Sequence, residues 1–209
     1  MLGIALVACE KKKPPDALEG NGVAATVERD VAPFSRLAVG SRIELEVTIG
    51  KASRLELNGD GNLLPHVTSR SENGLLTLDT DKRVKPSMRL RARISVPRLD
   101  SASGTKVARI DIQGLAADTF EAHATDVAKL SAAGTAKALV LKGAVAGSLD
   151  FSKVSAASAT VRLEKAASVR LGYLEELDVA TKGATRVSYV GDPKIKKDIE
   201  KPGRLIRTN

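Results

Sequence analysis

From residue 20 onward, apolar and polar residues alternate with the two-residue period of a strand. Ile43-Glu44-Leu45-Glu46-Val47-Thr48-Ile49 does so without a break, which predicts one face on a core and the other in water. Leu55 and Leu57 keep the rhythm, and Asn58-Gly59-Asp60-Gly61-Asn62 then reads as a turn. Asn73-Gly74 predicts a tight hairpin turn before Leu76 and Leu78. In the next strand Met88, Leu90, Ala92, Ile94 and Val96 share one face, Arg89, Arg91 and Arg93 share the other, and Pro97 ends it.

Residues 120–190 carry two competing patterns. Phe120, Ala124, Val127 and Ala128 have the spacing of an apolar helical stripe, and alanine is a strong helix former. Internal repetition opposes the helix. Phe120, Leu130, Leu139, Leu149, Val161 and Leu171 step by 10, 9, 10, 12 and 10 residues, with small residues between them. That spacing predicts half-coils of strand and turn, two per coil, in a parallel β-solenoid. Small residues would stack at the corners, where large ones from adjacent coils collide. The predicted fold is therefore all-β: a parallel β-solenoid preceded by an antiparallel β section, with a subdivision near residues 100–115.

Composition agrees. The aromatics are only Phe34, Phe120, Phe151, Tyr173 and Tyr189, with no tryptophan, which suits narrow layered packing. The net charge of +8 favours anionic partners. Nucleic acid is not among them, because neither stacking platforms nor a recognition helix is present.

The single cysteine, Cys9, follows Leu6-Val7-Ala8. This resembles the bacterial lipobox, in which the thiol is acylated and becomes the new N-terminus. Residues 1–8 then read as the tail of a signal peptide, shorter than the usual basic and apolar segments. Residues 9–19, with Lys11-Lys12-Lys13-Pro14-Pro15, read as a stiff polar linker, and 20–209 as the solenoid. Glu10 is not the aspartate linked to inner-membrane retention in enteric bacteria, which points to an outer-membrane lipoprotein.

Little in the sequence points to catalysis. His66 and His123 are far apart and have no ligand-spaced neighbour, so no metal or cofactor is expected. Asn58, Asp60 and Asn62 match the start of a calcium loop, but Leu63 and Ser69 stand where that loop needs glycine and glutamate. Asp100 precedes Ser101 and Ser103 without any sign of a triad. The carboxylates of Asp111, Asp118, Glu121 and Asp126 leave polysaccharide cleavage open as an alternative, against the simpler reading of a solvated face. Arg89, Arg91 and Arg93 are the candidate anion-binding residues, extended by Lys82, Arg83 and Lys85. Their partner would be an anionic envelope polymer or lipid head group, and the competing reading is a charged face that blocks aggregation.

Several segments together resemble the family of the putative auto-transporter adhesin, head GIN domain. They are Gly20-Asn21-Gly22, Arg29 through Val39, Asn58 through Pro65, Asn73 through Leu78 and Val96-Pro97-Arg98-Leu99. Ser101 through Thr105, Thr181 through Thr185 and Tyr189 through Pro193 resemble its small-residue corners and closing signature. Several Ser-Gly corners are eroded, as at Ala124-Thr125-Asp126 and Lys165-Ala166-Ala167. The resemblance implies a secreted or lipid-anchored protein with right-handed β-helix architecture and an adhesin-like, non-enzymatic role. It implies no catalytic residues.

Overall fold

The computed structural model describes residues 17–208. The strands are β1 (Leu18–Glu19), β2 (Ala24–Arg29), β3 (Arg36–Val39), β4 (Ile43–Ile49), β5 (Leu55–Asp60), β6 (Val67–Glu72), β7 (Leu75–Thr80), β8 (Val84–Lys85) and β9 (Leu90–Val96). They continue with β10 (Ser101–Gly104), β11 (Arg109–Ala124), β12 (Lys129–Gly143), β13 (Ser148–Glu164), β14 (Ser168–Tyr173), β15 (Glu176–Lys182), β16 (Arg186–Val190), β17 (Lys194–Ile199) and β18 (Arg204–Thr208). The single helical element described is a short 3-10 turn, Leu64–His66.

From Ser101 the chain makes about five solenoid turns. One flank stacks β7, β3, β10, the second halves of β11, β12 and β13, then β15 and β17, all in parallel. The opposite flank stacks β9, β4, the first halves of β11, β12 and β13, then β14, β16 and β18. Gly114, at φ +75°, bends β11 where the chain leaves the second flank.

The order of coils is not the order of the chain. Residues 36–49 form one coil, residues 75–96 form the coil outside it, and the chain then returns past buried Leu99 to resume at Ser101. Both ladders run unbroken across residues 100–115. The antiparallel section predicted at the N-terminus continues these flanks: β2 pairs with β5, β5 with β9, and β6 with β7. The β6–β7 hairpin turns at Asn73 and Gly74, both at positive φ, as the sequence predicted.

Apolar side chains stack in columns. Ala92, Leu45, Ile110, Leu130, Leu149, Val169, Val187 and Leu205 are in register through eight strands. Phe120, Leu139, Ala159, Leu177 and Ile195 form another. The ten-residue series is thus borne out as buried, but its register slips late. Val161 stacks on Leu141 and Leu171 on Phe151, each two residues beyond the columns of Leu139 and Leu149. The helical stripe fails at Val127, which is half exposed while Phe120, Ala124 and Ala128 are buried.

The corner between the flanks is a column in its own right. Ser41, Lys106, Asp126, Val145, Lys165 and Gly183 all lie at φ between 56° and 84°, one per coil. The amides after Lys106, Asp126, Val145 and Lys165 each donate to the left-handed carbonyl of the coil below, as in Val127 to Lys106 at 3.0 Å and Ala146 to Asp126 at 2.8 Å. Two positions on, Ala108, Ala128, Gly147 and Ala167 turn inward, small enough to stack. The corners that lack a Ser-Gly pair, at Asp126 and Lys165, keep this geometry because backbone bonds set it.

Candidate functional site

A groove of about 990 Å³ lies between this corner and the segment Thr80–Arg89, which crosses it like a strap. The floor comes from Ser41, Arg42 and Glu44 of one coil and Lys106, Val107 and Arg109 of the next. Seven basic side chains line it: Arg42, Lys82, Arg83, Lys85, Arg89, Lys106 and Arg109. Among the described residues only two carboxylates, Glu44 and Asp81, do so.

The strap is held along its length. Leu18 N–H donates to Arg83 O at 2.9 Å and Gly20 N–H to Lys85 O at 3.0 Å, so β1 and β8 pair in parallel. Val84 is buried beneath. Beyond it, Asp60 clamps the chain: its Oδ2 accepts from the amides of Ser87 and Met88 at 3.0 Å each, and its Oδ1 from Gly22 at 2.8 Å. Asp60 therefore tethers the N-terminal segment and the strap to one strand end.

The predicted turn at Asn58–Asn62 needs correction here. Pairing with β2 carries β5 through Asp60, and the turn falls at Gly61–Leu63. Both oxygens of Asp60 face N–H donors, the reverse of a calcium site, and no cluster of metal-ligating side chains occurs among the described residues.

The amide of Met88 holds the Asp60 carboxyl below its ordinary 3.8. Burial pushes the other way, and the Gly22 and Ser87 amides reinforce the lowering. A depressed folded pKa gives stability that is complete above the unfolded value and lost as pH falls through the folded one. Asp60→Asn is expected to lower Tm near neutrality by roughly 5–10 °C. It should also flatten the acid limb of the Tm–pH profile below about pH 4. Thermal scans across pH check both.

Charges around the groove divide into paired and unpaired. Glu44 lies within 4 Å of three guanidiniums, Arg89 at 3.3 Å, Arg109 at 3.8 Å and Arg91 at 3.9 Å. Lys106 Nζ pairs with Asp79 at 2.9 Å, and Ser41 Oγ donates to the same carboxylate. Burial alone would raise Asp79; the bonds from Ser41 and Lys106 outweigh it and hold its carboxyl below the ordinary value. Lys85 pairs with Glu19 at 2.8 Å. Among the described residues, Arg42, Lys82 and Arg83 have no carboxylate within 4 Å, so their charges face the groove uncompensated.

Arg89 and Arg91 of the predicted patch meet at Glu44, and Arg89 alone of its three arginines lines the groove. Arg89 lines the groove with Lys82, Arg83 and Lys85. Arg91 and Arg93 lie on the outer flank in register with Glu44 and Glu46 of β4, and Arg93 Nε meets Glu46 at 2.7 Å. Arg42, Lys106 and Arg109 went unnoticed in the sequence, because only the coil stacking brings them to the strap.

The four carboxylates weighed for glycan cleavage each have a separate partner. Asp118 pairs with Lys137 and Glu121 with Lys142, both at 2.6 Å. Asp111 accepts from Ser131 Oγ, and Asp126 from the amide of Lys106, at 2.9 Å each. They are spread over both flanks and the corner. His66 Nδ1 contacts Asp81 at 3.0 Å, while His123 is exposed. Ser103 neighbours His123 on the ladder but donates to the carbonyl of Leu37 at 3.2 Å, and Asp100 pairs with Arg98. Cys9 and the lysine linker lie outside the described residues.

Residues 33–193 match the family described as putative auto-transporter adhesin, head GIN domain. The chain belongs to this family. Solved structures carry the same fold. A putative adhesin from Bacteroides fragilis superposes with a TM-score of 0.71 at 18% identity, over 91% of this chain and 99% of that one. A putative adhesin from Parabacteroides merdae gives 0.60 at 13%, over 93% and 100%. A putative lipid binding protein from Parabacteroides distasonis gives 0.56 at 15%, over 93% and 100%. No curated protein sequence matches. The GIN-family match spans the corner column and the whole strap, and it leaves β1, β2 and the last two strands outside.

Proposed function

We propose that this chain is a lipid-anchored, outer-membrane envelope protein that binds anionic groups through the strapped groove and performs no chemistry on them. The observation that carries this reading is the groove itself, which among the described residues is lined by seven cations and two carboxylates. Arginine and lysine supply fork-like and point donors suited to phosphate and carboxylate. The adhesin names within the family and its solved relatives agree with a binding role, and one relative is named for lipid binding. Leu6-Val7-Ala8-Cys9 supports acylation at Cys9 as the anchor.

Expressed in a bacterium behind a complete lipoprotein signal peptide, the protein should incorporate labelled palmitate and sediment with membranes, and Cys9→Ser should abolish both. A Cys9→Ser variant that still labels would overturn the anchor. The soluble Cys9→Ser protein should bind dextran sulfate but not neutral dextran, with affinity falling as salt rises. Release of new reducing ends or unsaturated products from an anionic polysaccharide would instead favour the lyase or hydrolase reading based on Asp111, Asp118, Glu121 and Asp126.

A further inference from the structure

Resting on the lipid-anchor reading, we infer that the groove's natural occupant is the head-group layer of the membrane that holds the anchor. The solenoid then stands with its strap toward the lipid and its last coil away from it.

The distance constraint comes from the chain. Ala17, the first described residue, itself lines the groove. Only eight peptide steps separate Cys9 from Ala17. Even fully extended, they reach no more than about 29 Å. Acylation at Cys9 therefore confines the strap to a shallow layer over the bilayer. β1 fixes the end of that tether to β8, so the short linker leads straight into the cationic strap.

The electrostatics act in the same direction. Lys82, Arg83 and Arg42 have no carboxylate partner among the described residues, and along the tether Lys11, Lys12 and Lys13 outnumber Glu10 and Asp16. Basic groups attract anionic head groups within about a Debye length, roughly 8–10 Å, which the tether leaves within reach.

A rival surface exists at the far end. Lys194, Lys196, Lys197 and Arg204 of β17 and β18 are also exposed. They sit five strand spacings from the groove floor, about 24 Å along the stack. Lys194 and Lys196 line a smaller groove of about 480 Å³ there, shared with Glu176 and Asp178, whereas β1 ties the tether to the opposite end of the stack.

The test uses the full chain as Cys9→Ser, so that binding does not depend on acylation. Three proteins are compared: this one, a groove variant adding Lys82→Gln, Arg83→Gln, Lys85→Gln and Arg89→Gln, and an end variant adding Lys194→Gln, Lys196→Gln, Lys197→Gln and Arg204→Gln. Matching circular dichroism spectra and melting curves establish that all are folded. Co-sedimentation is measured with vesicles of phosphatidylglycerol and phosphatidylcholine, and with phosphatidylcholine alone, at low and physiological salt.

Binding to the anionic vesicles is expected to fall roughly 100-fold in the groove variant and to change less than about threefold in the end variant. Neutral vesicles should bind none of the three. Equal losses in both variants, or a larger loss in the end variant, would overturn the orientation. Groove-dependent binding to dextran sulfate with none to anionic vesicles would overturn the membrane assignment and leave the anionic-groove reading standing. Binding to neither would remove both. Should the groove variant fail to fold, Arg42→Gln with Lys82→Gln alone, both exposed and unpaired, is expected to lose about tenfold, and no loss would overturn the proposal.

Discussion

Leu163→Asp is expected to lower the melting temperature by roughly 10–15 °C, which corresponds to about 4–5 kcal/mol in a domain of this size. Leu163 is 1% exposed and stacks between Gly143 and Thr181. Its Cδ2 lies 2.9 Å from where a Cβ at Gly143 would be, so leucine fills the space that glycine leaves. A carboxylate there has no cation to meet, and burial would raise its pKa. A raised folded pKa gives stability that is present at low pH and lost as pH rises through that value. The deficit should therefore be smaller at pH 4 than at pH 8, whereas a deficit from lost packing alone would not change with pH. Thermal melts at the two pH values separate these outcomes.

Gly147→Ala should be nearly as damaging despite adding one methyl. A Cβ there would fall 2.2 Å from the carbonyl oxygen of Ala124 and 2.6 Å from its carbon, in the coil below. The obstruction is backbone, held by the corner bonds, so neither coil moves without breaking the ladder. A cost of about 2–3 kcal/mol, or roughly 5–10 °C in Tm, follows. Ala128 and Ala167, at the equivalent corners, carry the same methyl in full burial. Ala167→Gly should accordingly cost about 1 kcal/mol or less, a contrast visible in paired melts.

These two positions also mark what was legible in the sequence. The period-two alternation in Ile43–Ile49 and the ten-residue rhythm after Phe120 show which residues face inward, because a stacked coil sets both periods locally. The slip at Val161 was not legible, since Ala159 fills the column of Leu139 with a side chain too small to register as a landmark. Nor was the excursion that builds residues 75–96 outside residues 36–49. That order depends on strands that pair across 39 and 47 residues, and alternation says nothing about partners.

The groove was half visible for the same reason. Lys82, Arg83, Lys85 and Arg89 are neighbours in the chain, whereas Arg42, Lys106 and Arg109 reach them only through coil stacking. Arg91 and Arg93 alternate with Arg89 but face Glu44 and Glu46, whose own alternation in β4 was read only as the wet side of a strand. Asp60 carried the composition of a turn, and its part as a clamp depends on three amides from distant segments.

The corner column makes the molecule a ruler. Each circuit of 18–20 residues between Ser101 and Ile199 advances the stack by one strand spacing, about 4.8 Å. The corner bonds of each circuit refer only to the circuits above and below. A coil inserted or removed beyond β12 would therefore shift the far tip by that increment and leave the strap, the Asp60 clamp and the groove floor as they are. Reach and grip are set by different stretches of the chain, so either can change length or chemistry without the other.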